Sequence, residues 1–75
     1  MTTANLPPMT TGKQLRLERF TADISIRTVA AEMDLSRQAL WALERTAIVR
    51  EERASAYRRA IAAILERRAQ EGVDR

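Results

Sequence analysis

The chain of 75 residues predicts an all-α domain of four helices, or five if the last segment splits in two. Three observations lead there. Aromatic residues make up only 4%, β-branched residues are sparse, and no apolar–polar alternation lasts long enough for a strand. Serines stand where helix N-caps are needed, at Ser25 and Ser36. Near the C-terminus Tyr57, Ile61, Ile64 and Leu65 recur at helical spacing and form the expected core stripe of the last helix.

Residues 1–11 (MTTANLPPMTT) carry no charge and hold both prolines, Pro7 and Pro8, so they are expected to form a flexible arm. The first helix is expected over about Gly12–Ala22 and the second over about Ile26–Met33, behind the Ser25 cap. The third follows Ser36 and runs to about Thr46. The last covers about Arg50–Glu71, with Gly72 as its stop. Residues 12–49 then form the core, and residues 50–75 complete the same domain with one long helix.

Composition removes most function classes. The chain has no cysteine and no histidine, which excludes disulfides, the usual zinc sites, thiol nucleophiles and histidine-based acid–base chemistry. With Gly12 and Gly72 as its two glycines it cannot build a glycine-rich phosphate loop. A core this small lines no deep substrate cleft. The expectation is a protein that is not an enzyme and that needs no metal, cofactor or small-molecule ligand. The first residues lack the basic region and apolar run of a signal peptide, and no apolar run is long enough to span a membrane. The expected location is the cytoplasm of a bacterial host.

Charge points toward a partner. The net charge is only +3, but of 13 basic residues Lys13 is the one lysine and the other 12 are arginines. Genomic base composition is one source of such a bias. Arginine is also the side chain best matched to phosphates and guanine edges, because its planar fork donates two parallel hydrogen bonds. A sequence pI near 10.6 fits a polyanionic partner.

The joint between the second and third helices is the most informative stretch. Two short helices joined by a tight turn cross steeply, and Ala30 supplies the small side chain that the crossing needs. Val29, Met33, Leu35, Leu40 and Leu43 form the wedge between them. The turn wants a left-handed backbone at Asp34, a conformation that Asp tolerates. On a wheel at about 100° per residue, Ala39, Leu40, Leu43 and Ala47 are expected to face the core. Arg37, Gln38, Trp41, Ala42 and Arg45 fall on the opposite arc. Those groups suit base edges in a major groove: Arg for guanine, Gln for adenine, methyl groups for thymine. Trp41 is expected either to contact the DNA or to tuck against the last helix. Any surface helix also shows arginine and glutamine to water; the adjoining turn pattern and the tryptophan favour DNA.

These residues resemble the phage Cro/repressor (XRE-type) family of helix-turn-helix regulators. The likeness starts at Gly12 and runs through Leu15-Arg16-x-x-Arg19, Ser25, Val29-Ala30 and Leu35-Ser36 to Leu40-x-x-Leu43-Glu44-Arg45, about half of the chain without gaps. It implies a lambda-repressor-like domain in which the helix after Ser36 is the recognition helix. It places base contacts at Arg37, Gln38 and Ala42, and backbone contacts at Ser25 and Ile26. It also implies an ion pair between Arg19 and Glu44 that ties the first helix to the recognition helix. Arg27, Ser36, Arg50 and Arg53 complete the expected phosphate contacts. The chain departs from the family at Ile26, where Gln is usual, at Asp23, Asp34 and Thr46, where Gly is common, and after Arg50, where two short helices are usual.

The leading expectation is a sequence-specific double-stranded DNA-binding regulator, a Cro-like or repressor protein of phage or prophage origin. Within DNA binding, an excisionase-type recombination factor or an antitoxin is the alternative. In another class stands a small helical protein-interaction adaptor, for which the sequence offers only Trp41 and alanines as an exposed apolar patch. The pairs Arg58-Arg59 and Arg67-Arg68 are expected to form a solvated helix face. Ala56, Ala60 and Ala63 are expected to leave a strip for a second copy. Alanines bury little area, so the expected state is a monomer or weak dimer that pairs on DNA.

Overall fold

The computed structural model describes residues 9–73. They form four helices, α1 (Gly12–Thr21), α2 (Ile26–Glu32), α3 (Arg37–Glu44) and α4 (Glu51–Val73), with no strand among the described residues. Helix α2 packs on α3 and α4, and α1 packs on the same two. Leu15, Val29, Leu40 and Tyr57 are completely buried where these four helices meet. Ala30, 2% exposed, sits in the same core, and Met33, Leu35 and Leu43 pack against it partly buried.

Helix α1 starts with a capping box. The Thr11 hydroxyl accepts from the Gln14 N–H at 3.0 Å, and the Gln14 side chain accepts from the Thr11 N–H at 2.8 Å. One residue earlier, the Thr10 carbonyl accepts from the Val49 N–H at 2.8 Å in an isolated antiparallel bridge. Thr10 and Thr11 therefore belong to the folded domain and not to a flexible arm. Residues 1–8, the greater part of that expected arm, lie outside the described residues.

Helices α1 and α2 end by the same device. In each, the residue after the C-cap is an aspartate with a left-handed backbone, Asp23 at φ 58° and Asp34 at φ 59°. The Asp23 N–H donates to the Phe20 carbonyl and the Ile24 N–H to the Arg19 carbonyl. Asp34 and Leu35 repeat the pattern onto Ala31 and Ala30. This is the Schellman arrangement, and the apolar residue that follows, Ile24 or Leu35, turns back onto the core. Ser25 and Ser36 then cap the next helices through the N–H groups of Thr28 and Ala39.

Helix α3 stops at Glu44, short of the expected Thr46. The Thr46 carbonyl turns aside to accept from the Gly12 N–H at 2.9 Å, while its hydroxyl donates to the Ala42 carbonyl at 3.0 Å. Ala47 thus lies beyond the helix and is exposed, and Ala39 is exposed as well, against the expectation that both face the core. The buried stripe of α3 is Leu40, Leu43 and Glu44; the side of Ala39 is left open.

Helix α4 is unbroken and includes Gly72, which does not stop it. Its core stripe holds Ala54, Tyr57, Ala60, Ile61 and Ile64. Leu65 was expected there but is 41% exposed. At about 1.5 Å per residue, α4 is roughly 34 Å long, against about 15 Å for α1, so its last turns run past the helices that could cover them. Ala60 is buried and Ala56 and Ala63 are half-buried beside Glu32 and Met33, so the alanine strip mostly receives α2. Large apolar side chains are exposed elsewhere. Leu17, Phe20 and Ile48 are exposed as well as Trp41, so the exposed apolar surface is larger than Trp41 and alanines. No helix among the described residues is long and apolar enough to cross a membrane.

Candidate nucleic-acid interface

The placement of α3 begins with Gly12. A Cβ on Gly12 would stand 2.5 Å from the carbonyl oxygens of Leu43 and Glu44, so only glycine lets the start of α1 meet the end of α3. A buried network then locks the two helices. Arg19 grips Glu44 with two donors, Nε to Oε2 at 2.7 Å and Nη2 to Oε1 at 3.0 Å, and gives a third to the Ile24 carbonyl at 3.1 Å. The Tyr57 hydroxyl donates to Glu44 Oε2 from α4. Arg19 and Glu44 are 7% and 5% exposed, and no buried side-chain nitrogen or oxygen among the described residues lacks a partner. The hydrogen bond to Glu44 holds the Arg19 guanidinium above its ordinary pKa in spite of burial. Burial, then the bond to Glu44, pushes the Tyr57 phenol up. One carboxylate thus joins α1, α3 and α4.

The opposite side of α3 carries the residues read as base contacts. Arg37, Gln38, Trp41, Ala42 and Arg45 are all exposed. Trp41 keeps 55% of its surface in solvent and does not tuck against α4. The Arg45 guanidinium lies 4.6 Å from its ring centroid, a cation–π stack that stiffens both side chains.

The residues read as backbone contacts are distributed less evenly. Ser25, at the start of α2, uses its hydroxyl as the cap and shares a 2.8 Å hydrogen bond with the Thr28 hydroxyl. Ile26 turns partly into the core, whereas Arg27 stands free in solvent. Ser36 is exposed and caps α3. Arg50 lines a hollow with Glu51, Glu52, Ser55 and Arg59, where two carboxylates compete with any phosphate. Arg53 is exposed on the first turn of α4.

A cleft of about 580 Å³ runs between α1 and α3. Ile26, Trp41, Arg45 and Thr46 line it, and so do Lys13 and Arg16 of α1. Neither of those last two was singled out as a site residue from the sequence. Their signal was a basic i, i+3 pair just inside the capping box, but nothing local says which way that face of α1 looks.

Three arginines of α4 differ from the cations around the cleft and α3. Arg58 pairs with Glu18 at 2.8 Å and Arg67 with Glu32 at 2.7 Å, while Arg68 donates to the carbonyls of Ala22 and Asp23. All four arginines of the expected solvated face of α4 are exposed, and three of them also reach α1 and α2. Lys13, Arg16, Arg27, Arg37 and Arg45 have no carboxylate within ion-pair distance among the described residues. No cluster of metal-ligating side chains occurs among the described residues. No protein-family model, curated protein or solved structure matches the chain.

Proposed function

We propose that this chain is a sequence-specific double-stranded DNA-binding protein, a transcriptional regulator of Cro/repressor type that reads the major groove with α3. One observation carries the proposal. The outer face of α3 presents Arg37, Gln38, Trp41, Ala42 and Arg45 to solvent with no acid partner among the described residues, while the acids Glu18, Glu32 and Glu44 are held by arginines elsewhere. Such a face exposes donors for purine edges and apolar groups for thymine methyls. Arg37 and Gln38, in the first turn of α3, read bases. Trp41, stiffened by Arg45, adds an apolar contact, and Ala42 lets the helix approach closely. Ser25, Arg27 and Ser36 touch the sugar-phosphate backbone and set the register, with the Ile26 backbone beside them. Arg50 and Arg53 add phosphate contacts at the edge. Two copies pair on half-sites about 34 Å apart.

Selection of bound fragments from a randomised duplex pool tests the proposal. The expected result is one enriched motif, bound with a steep salt dependence. On that motif Arg37→Ala weakens binding by about 1–3 kcal/mol and relaxes preference at one base pair. A pool that yields no motif, or a variant that binds as the parent does, removes the proposal. A protein-adaptor role has the exposed Leu17 and Phe20 in its favour. It predicts that these two, and not Arg37, control the binding of a partner.

A further inference from the structure

The cleft between α1 and α3 is left unused by recognition through α3 alone. Its walls carry three cations, Lys13, Arg16 and Arg45, and its floor is the buried Arg19–Glu44 pair. The Glu44 carboxylate is already occupied by Arg19 and Tyr57, so it offers little to an incoming cation. The cleft therefore favours an anion. Arg16 is also held in place: its guanidinium lies 5.0 Å from the Phe20 ring centroid, which reduces the freedom that a phosphate contact would have to remove. Trp41 closes the other wall with an indole ring kept in position by Arg45.

We infer that this cleft is a second backbone-binding element, in which Lys13 and Arg16 of α1 hold the phosphates of the strand that borders the groove entered by α3. The inference rests on the proposed DNA recognition and deepens it. It assigns to α1 a part in binding that the helix-turn-helix pattern of α2 and α3 does not contain. Because Trp41 of α3 and Arg45 at its C-cap also line the cleft, the ring packs against sugar where the bordering strand passes from one element to the other. Phe20 acts as a positioning residue through Arg16.

A salt titration on the selected motif tests the inference, with the parent, Lys13→Gln/Arg16→Gln, and Arg59→Gln as a control that removes an unpaired charge from α4. Lys13 and Arg16 are exposed and form no ion pair among the described residues, so the double variant is expected to melt as the parent does. Two lost phosphate contacts flatten the slope of log affinity against log salt by about 1.8. Affinity falls for motif and non-motif DNA alike, and base preference stays unchanged at every position. Phe20→Leu gives a smaller loss of the same kind, and Arg59→Gln gives none. A double variant with the parent's slope on a motif that the parent still selects overturns the inference and leaves recognition by α3 standing. A double variant with altered base preference overturns it too, since the residues would then read bases. If the parent selects no motif, recognition by α3 and the cleft fall together.

Discussion

Two sets of arginines in this chain are alike in sequence and opposite in circumstance. Three of α4, Arg58, Arg67 and Arg68, reach across to acids and carbonyls of α1 and α2 and staple the long helix to the short ones. Those around the cleft and α3, Arg16, Arg37 and Arg45, meet no carboxylate within ion-pair distance among the described residues. Between the two sets lies Arg19, sealed under the cleft with Glu44 and Tyr57. The difference teaches that a net charge of +3 understates the field at one surface, because the cations there have no carboxylate within ion-pair distance among the described residues. It also shows three energetic roles for one residue type: buried strut, surface staple and unpartnered contact.

The strut gives the largest effect. Glu44→Ala leaves a buried guanidinium and a phenol without their acceptor, and breaking such a pair destabilises by about 3–5 kcal/mol. In a domain whose total stability is about 5–15 kcal/mol, a thermal melt should show a much lowered midpoint or no cooperative transition. A melt that superimposes on the parent's would place Arg19 with the staples.

Gly12→Ala comes next. Its methyl group meets two backbone carbonyls that cannot rotate away, so α1 must shift from α3. Overpacking of this kind costs about 1–3 kcal/mol, read as a lowered denaturant midpoint. The cleft changes shape with it, so the proposed DNA binding is expected to weaken by more than stability alone predicts at temperatures where the variant is folded.

Alkaline pH probes the same strut. The unfolded chain loses the Tyr57 proton near the ordinary phenol pKa of about 10, while the folded chain keeps it. Stability is therefore intact below pH 10 and falls above it, by at most about 1.4 kcal/mol per pH unit from this one proton. Tyr57→Phe should remove that slope while lowering the plateau. A parent and variant with parallel alkaline curves would mean that the phenol titrates freely in the fold.

The smallest effect belongs to the staples. Arg58 and Glu18 are both more than one-third exposed, and Arg58→Ala should cost no more than about 1 kcal/mol, shrinking further in high salt. A loss comparable to that of Glu44→Ala would erase the distinction between staple and strut.

Much of the fold was legible because its signals are local. Ser25 and Ser36 cap helices from within a few residues, and Asp34 adopts the left-handed turn that its position demanded. Thr11-x-x-Gln14 was equally local, a capping box open to reading, yet the prolines before it drew Thr10 and Thr11 into an expected arm. Leu65 and Ala47 misled for another reason. A wheel assigns faces but not how far a neighbour covers each one: Leu65 stands at the open edge of the stripe in which Ile61 and Ile64 are buried, and α3 ends before Ala47.

By itself, then, the sequence determined four helices, the Ser25 and Ser36 caps, the Asp34 turn and the outward face of α3, since each depends on residues within a turn or two of one another. Only the tertiary structure decided that Gly12 abuts the Leu43 and Glu44 carbonyls, that Tyr57 joins the Arg19–Glu44 pair, and that Lys13 and Arg16 open onto the same cleft as Trp41. It decided as well which cations are neutralised. Glu18 finds Arg58 across 40 residues of chain and Glu32 finds Arg67 across 35, and such meetings are set by how helices cross and how far each extends. Hydrophobic burial fixes those crossings for the whole core at once, and the charges take whatever partners the packing brings within reach.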